Sequence, residues 1–301
     1  MPPKSTVVPS VLVFVAACLW GLYWLPARYV EEAGLTGLWA SVGINIIPLI
    51  TVTPLILWRW RHWAADFRLI CWIGLLAGTG MMLYATGLVF SSIMRATLLF
   101  YLTPIWATLF SWLMLKEQIN WQRWLAIGLG LAGAILLLSN GGQSTKPLNF
   151  GDLAGLVAGI VWGLGAVVIR RSSDISPFES TASQYLFGTL TGIALLLVAH
   201  LWTGATLEVP SWEVWKVAIP PIFLFYVCLI MPGLLGIFWA TKHLSPGRGG
   251  ILMMSEVLVA AVSAPLIAGE YLSLLDWFAA SLIVAAAVLE VSAPEQEIVL
   301  T

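Results

Sequence analysis

Charged residues are scarce in this chain: Asp, Glu, Lys and Arg make up 10% of its 301 residues, where a soluble domain carries about a quarter. So little charge excludes an ordinary water-soluble fold, and a formal net charge of −1 supplies no surface suited to nucleic acid. Cysteine is also rare. Cys18, Cys71 and Cys228 lie in or beside apolar runs with no paired spacing, so they read as small core residues outside any disulfide or metal site. The three histidines, His62, His200 and His243, fall near the ends of apolar runs and away from one another. No nucleophile stands beside a base, and no glycine loop is arranged for phosphate. The sequence thus offers no catalytic residue, no metal site and no cofactor site, which argues against an enzyme.

What is abundant is apolar surface: 60% of residues are hydrophobic and the mean hydropathy is +0.93. Helices of roughly 20 residues facing lipid expose that surface without penalty. The apolar runs lack the alternation of a β-barrel strand, so the fold class is an all-α integral membrane protein. Turn residues and charges divide the chain into ten spans near 9–30, 36–58, 67–90, 94–115, 121–139, 151–171, 178–202, 214–241, 247–268 and 272–290. Val15-Ala16-Ala17-Cys18 imitates a lipoprotein cleavage site, but the apolar run continues through Trp24, and an uncleaved first helix is the reading. A polar, Gly-rich linker at 141–150 separates a first five-helix unit, 1–140, from a second, 151–301.

Orientation follows from the cations. With the N terminus inside, the inner face holds Lys4, Arg59, Arg61, Arg68, Lys116, Arg123, Arg170, Arg171, Lys242 and Arg248, and the outer face Arg28, Arg95, Lys146 and Lys216. The excess places both termini in the cytoplasm. Trp58, Trp60, Trp63, Trp112, Trp121, Trp124, Trp212, Trp215 and Trp277 cluster at the same span ends, where an indole anchors at the membrane interface.

The two units repeat each other. Trp20-Gly21, Arg28 and Ala40-Ser41 recur with the same spacing as Trp162-Gly163, Arg170 and Ala182-Ser183, and Arg95, Glu117 and Trp124 as Arg248, Glu270 and Trp277. Five spans are an odd number, so the second unit is inverted relative to the first, the mark of a transporter that alternates its access around a central cavity. An insertion near Thr203 to Lys216 separates the two alignments.

Candidate substrate-binding residues lie deep in the spans. Trp20 and Trp24 are one turn apart, Trp162 is the repeat mate of Trp20, and Tyr84 and Tyr101 add an aromatic face and a hydroxyl each. Aromatic faces hold flat apolar groups and attract ammonium. Glu256, in Met253-Met254-Ser255-Glu256, is a carboxylate in mid-span that must face the bundle interior or water. It suits a proton-titrating group, a counter-charge for a substrate amine, or an acid hydrogen-bonded between helices. Pro104 and Pro265 remove backbone hydrogen bonds where helices can bend. Gly155 with Gly159, and Gly128 with Ala132, are spaced for close helix approach, and Asn45 and Gln184 suit interhelical hydrogen bonds. Glu117, Glu270, Arg95 and Arg248 read as helix-end anchors or gate pairs.

Ten spans, the duplicated half, and a fourth span closing on Leu113-Met114-Leu115-Lys116-Glu117 before a Trp- and Gly-rich fifth helix resemble the drug/metabolite transporter superfamily with two EamA-type repeats, over about residues 9 to 292. Within it, the Trp-Gly of helix one, the aromatic spans and the length are most similar to the YddG-type aromatic amino acid exporters of bacterial inner membranes. The resemblance implies a basket-like bundle whose cavity is lined by Trp20, Trp24, Tyr84, Tyr101, Trp162, Met254, Ser255 and Glu256. It also implies export of aromatic and other apolar amino acids, Phe, Tyr, Trp and Met, with the bilayer as the other partner. This chain departs from many relatives in having Glu256-Val257 where the first repeat has Thr103-Pro104. Efflux of lipophilic cations and a non-transporting membrane scaffold are the alternatives.

Overall fold

The computed structural model describes residues 7–115, 120–139, 148–172, 175–203, 208–240, 252–253, 255–269 and 273–292. Met254, Glu117, Arg248, Glu270 and most of the linker, 141–147, lie outside the described residues. Among those described, every regular element is helical. The first half runs through α1 (Val7–Trp20), α2 (Trp24–Glu32), α3 (Leu38–Trp58), α4 (Trp60–Ala65), α5 (Phe67–Phe90), α6 (Ile93–Phe100), α7 (Thr103–Leu115) and α8 (Trp121–Ser139). The second runs through α9 (Phe150–Arg171), α10 (Pro177–Thr203), α11 (Trp212–Ile222), a π-helical stretch (Phe223–Ile230), α12 (Met231–Ala240), α13 (Ser255–Ala268) and α14 (Leu274–Ser292).

Each of the ten expected spans coincides, in whole or part, with helix, but they differ in apolar length. Seven stretches among the described residues are long and apolar enough to cross a membrane: Val7–Glu32, Leu38–Trp58, Phe67–Phe90, Ile93–Met114, Phe150–Ile169, Pro177–Trp202 and Trp212–Ala240. α8 and α14 carry the shorter apolar stretches Trp124–Leu136 and Leu274–Ala286. The chain is therefore a multi-pass membrane protein.

The central helix is α5, packed along both α9 and α10, while α3 lies on α10, α1 on α12 and α8 on α14. Small residues set these approaches. A Cβ on Gly155 would lie 3.1 Å from the Ala96 carbonyl oxygen, and one on Gly159 2.9 Å from that of Phe100, so α9 meets α6 at backbone contact, as the Gly155/Gly159 spacing predicts. Gly128 does not serve this way, for nothing lies within 4 Å of its would-be Cβ. Gly133 takes that place, against the Ala279 carbonyl oxygen on α14.

Helix starts within the apolar bundle must satisfy their own amides. Ser92 Oγ accepts from Arg95 N at the start of α6. Asn149 and Asp152 form a capping box at the start of α9, and Ser273 and Asp276 bond reciprocally at the start of α14. Asn45, read as interhelical glue, donates from Nδ2 to the Ser41 carbonyl and to Met82 Sδ on α5.

Two expectations need correction. Of the nine interfacial tryptophans, seven are exposed, but Trp63 is buried, because α4 folds it into a second apolar cluster with Val52, Ile70 and Ile175. Trp215 is half-buried and meets Trp39 edge to face. All three cysteines are free, and Cys228 is exposed, no core residue, since its position on the π-helical stretch turns it outward.

Candidate functional site

Two helix interruptions bring their residues to Glu256. At Gly21–Tyr23, between α1 and α2, the chain tightens to i→i−3 hydrogen bonds from Leu22 to Leu19 and from Tyr23 to Trp20. Between α6 and α7 it does so again at Leu102, which bonds to Leu99, one residue before Thr103-Pro104. Irregular backbone at membrane depth is tolerated where protein or a water-filled cavity surrounds it, and broken helices supply the sites of many carriers.

The repeated glycine fixes the first of these crossings. A Cβ on Gly21 would stand 2.6 Å from the Glu256 carbonyl oxygen and 2.6 Å from Val259 Cβ. In the other half, a Cβ on Gly163 would stand 3.1 Å from the Thr103 carbonyl oxygen and 2.9 Å from Trp106 Cβ. Thr103 and Trp106 occupy the positions in the first repeat that Glu256 and Val259 occupy in the second. The Trp-Gly pair of each half thus lets a helix of the other repeat alignment cross at backbone contact, at matching positions.

Glu256, 4% exposed, is held by two phenols. Tyr101 donates to Oε2 at 2.8 Å and lies 3.0 Å from the Met253 carbonyl oxygen, so one hydroxyl proton serves two acceptors. Tyr84 donates to Oε1 at 3.4 Å, and its hydroxyl is 3.2 Å from Thr97 Oγ1. Among the described residues no cation pairs with Glu256. A mid-bundle carboxylate in this setting can exchange a phenol for an ammonium group or hold a proton.

An aromatic series runs from Glu256 into both halves. Trp20 stacks on Tyr23 at 6.3 Å between centroids, Tyr23 reaches Tyr84 at 6.0 Å, Tyr84 stacks on Phe100 at 4.5 Å, and Phe100 tilts against Trp162 at 6.5 Å. Trp20 and Trp162 are therefore connected through three intervening rings. Phe100 also meets Tyr101 edge to face, and Tyr226 packs edge-on against Tyr23 while donating to its carbonyl at 2.6 Å. Trp24 is buried and donates from Nε1 to Ser263 Oγ at 3.2 Å, tying α2 to α13.

The structure thus gathers Trp20, Tyr84, Tyr101, Trp162 and Glu256 into one network and puts Trp24 on its border. Ser255 differs. Its hydroxyl donates to the Leu252 carbonyl at 2.8 Å and lies 3.5 Å from that of Phe14, so it serves the backbone. Sequence reasoning missed Tyr23, Phe100, Tyr226 and Thr97. Tyr23 and Phe100 were within reach of it, one two residues past the Trp-Gly pair and the other next to Tyr101.

Two ion pairs mark opposite ends of the bundle. Arg95 Nη1 bonds Asp152 Oδ2 at 3.1 Å with both side chains buried. Ser91 Oγ donates to the other Asp152 oxygen, and Arg28 donates to the Ser91 carbonyl at 2.9 Å. These contacts join the α5–α6 turn of the first half to the start of α9 in the second. At the far end of α3, Arg59 Nε pairs with Glu179 Oε1 at 2.8 Å, linking α3 to α10. Arg95, read as an anchor or gate residue, is thus an inter-half partner.

Comparison with known proteins agrees with this architecture. An uncharacterised transporter of Pseudomonas aeruginosa is 23% identical over 274 residues, 87% of this chain and 86% of the relative. Riboflavin transporters of Vibrio cholerae and Rhizobium johnstonii match locally, at 31% over 101 residues (33% of this chain, 32% of that protein) and 27% over 152 residues (49% and 46%). A solved crystal structure shares the fold with a TM-score of 0.54 at 20% identity, covering 95% of this chain and 96% of its own. The model of the EamA-like transporter family matches twice, at residues 9–139 and 149–291. This chain belongs to that family of membrane transporters, within the drug/metabolite transporter superfamily, and carries two EamA repeats.

Proposed function

We propose that this transporter exports aromatic and other apolar amino acids, phenylalanine, tyrosine, tryptophan and methionine, across a bacterial inner membrane. It alternates access between two inverted five-helix units, 1–140 and 151–301, ten crossings in all, joined by a linker at 141–150 with both termini in the cytoplasm. The observation that carries this reading is the buried Glu256 carboxylate, without a cationic partner among the described residues, at the edge of the Tyr23–Tyr84–Phe100–Trp162 ring series. The rings suit a flat side chain. The carboxylate, bonded by the Tyr84 and Tyr101 hydroxyls, suits an ammonium group, which aromatic faces also attract. Trp20, Trp24, Tyr101 and Met254 complete the proposed site, with Ser255 beside Glu256 in sequence but its hydroxyl given to backbone carbonyls. The matching Gly21 and Gly163 crossings support the inverted arrangement.

A second reading is favoured by the two relatives named riboflavin transporters. A flavin is also flat and aromatic but brings no amine for Glu256. Release of labelled phenylalanine from liposomes containing the purified chain separates the two. Release above empty liposomes, competed by tryptophan and unaffected by riboflavin, is expected. Release of riboflavin without that of phenylalanine would replace the first reading with the second. Movement of quaternary ammonium compounds alone would point to lipophilic-cation efflux, and no movement of any solute by folded protein would overturn both.

A further inference from the structure

We propose that the turn joining α3 to α5 is a docking site for the phosphate headgroup of an anionic phospholipid. It carries Arg59, Arg61, His62 and Arg68 against a single carboxylate, Asp66. Elsewhere the cations whose side chains the structure describes are engaged. Arg28 donates to the Ser91 carbonyl, Arg95 pairs with Asp152, and Lys216 pairs with Glu213. Within the turn, Arg59 pairs with Glu179. The remaining two, Arg61 and Arg68, are exposed and make no ion pair among the described residues.

The turn is held rigidly enough to present those charges. Trp63 anchors α4 in the cluster with Val52, Ile70 and Ile175. The Arg59 guanidinium is fixed between Glu179 and the Phe178 ring, 5.6 Å from its centroid. Exposed apolar side chains flank the cations, Leu57 and Trp58 before Arg59, Phe67 just before Arg68 and Trp72 after it. In a multi-pass membrane protein such residues face acyl chains, and tryptophan settles at headgroup depth. The guanidinium groups of Arg61 and Arg68, without an ion-pair partner among the described residues, stand where lipid phosphates are. A soluble phosphate ester would satisfy the charge but leave the flanking apolar surface without a partner, so the occupant that fits is a lipid.

Native mass spectrometry of the full-length chain, extracted from mixed phosphatidylglycerol and phosphatidylcholine, tests this. The wild-type protein is expected to retain phosphatidylglycerol preferentially. Arg61→Gln with Arg68→Gln should cut that preference by about tenfold or more, since each arginine near an anionic surface contributes roughly fivefold. Arg61→Lys with Arg68→Lys keeps the charge and should keep most of the preference, as should Lys216→Gln at the other end of the bundle. Equal retention of the two lipids, an unchanged preference in the glutamine pair, an equal loss in Lys216→Gln, or displacement by glycerol 3-phosphate would each overturn the proposal.

Discussion

Gly21 lies directly under the main-chain carbonyl of Glu256, so close that a methyl group added at Gly21 would stand 2.6 Å from that oxygen. The acid's place in the bundle therefore depends on a residue with no side chain, 235 positions earlier in the sequence. Gly21→Ala should push α13 away from α1 and cost about 1–3 kcal/mol through overpacking. Thermal unfolding in detergent reads this directly. Gly163→Ala should behave alike, whereas Gly128→Ala, with open space around it, should be neutral or gain up to about 1 kcal/mol from helix propensity. Equal melting temperatures for all three variants would refute the crossing.

Tyr101→Phe removes the phenol proton shared between Glu256 and the Met253 carbonyl. A loss of about 1–2 kcal/mol is expected. Tyr84→Phe should cost less, because its bond to Glu256 is longer. The order of the two melting temperatures is the check.

Glu256→Gln preserves shape and removes the charge. Under the amino acid reading, phenylalanine release from liposomes should fall about tenfold or more, the equivalent of roughly 1.4 kcal/mol of lost interaction with the ammonium group. Unchanged release would show that the carboxylate does not meet the amine.

Trp162 touches the ring series through Phe100, while Trp121 is exposed. Trp162→Ala should reduce transport at least severalfold more than Trp121→Ala at matched expression. Equal effects in the liposome assay would remove Trp162 from the site.

Asp152→Asn leaves the buried Arg95 guanidinium without its carboxylate and should destabilise the protein by about 3–5 kcal/mol. The double variant Arg95→Leu with Asp152→Leu removes both charges and should unfold at a higher temperature than Asp152→Asn alone. A double-mutant cycle showing additivity would contradict a direct pairing.

Several of these features were legible in the residues because they violate the composition around them. Glu256 is an acid in an apolar run, and Trp20-Gly21 with Trp162-Gly163 repeats at a fixed spacing. The Gly155/Gly159 spacing marks a close helix approach in sequence, though only the fold names α6 as the partner. Others leave no such trace. Tyr23 and Phe100 are two aromatics among many, and what distinguishes them is that helix interruptions rotate them toward Tyr84. The interruption at Gly21–Tyr23 is marked only indirectly, by Pro26 in the first turn of α2, which has no N–H to give the Leu22 carbonyl. Asp152 resembles any acidic residue of a first helical turn, and only the fold brings Arg95 to it. Trp63 sits among interfacial tryptophans in sequence, and α4 turns it inward. Ser255 reads as a pocket hydroxyl, but a serine in a helix has the carbonyl three residues back within reach and uses it.

The pairing of Arg95 with Asp152 also constrains how the protein is made. The aspartate is synthesised 57 residues after the arginine, so α1 to α8 are all made before the buried guanidinium can meet its carboxylate. A fragment ending in the linker would never acquire it. Although each half matches the family on its own, the first is completed only when the second begins.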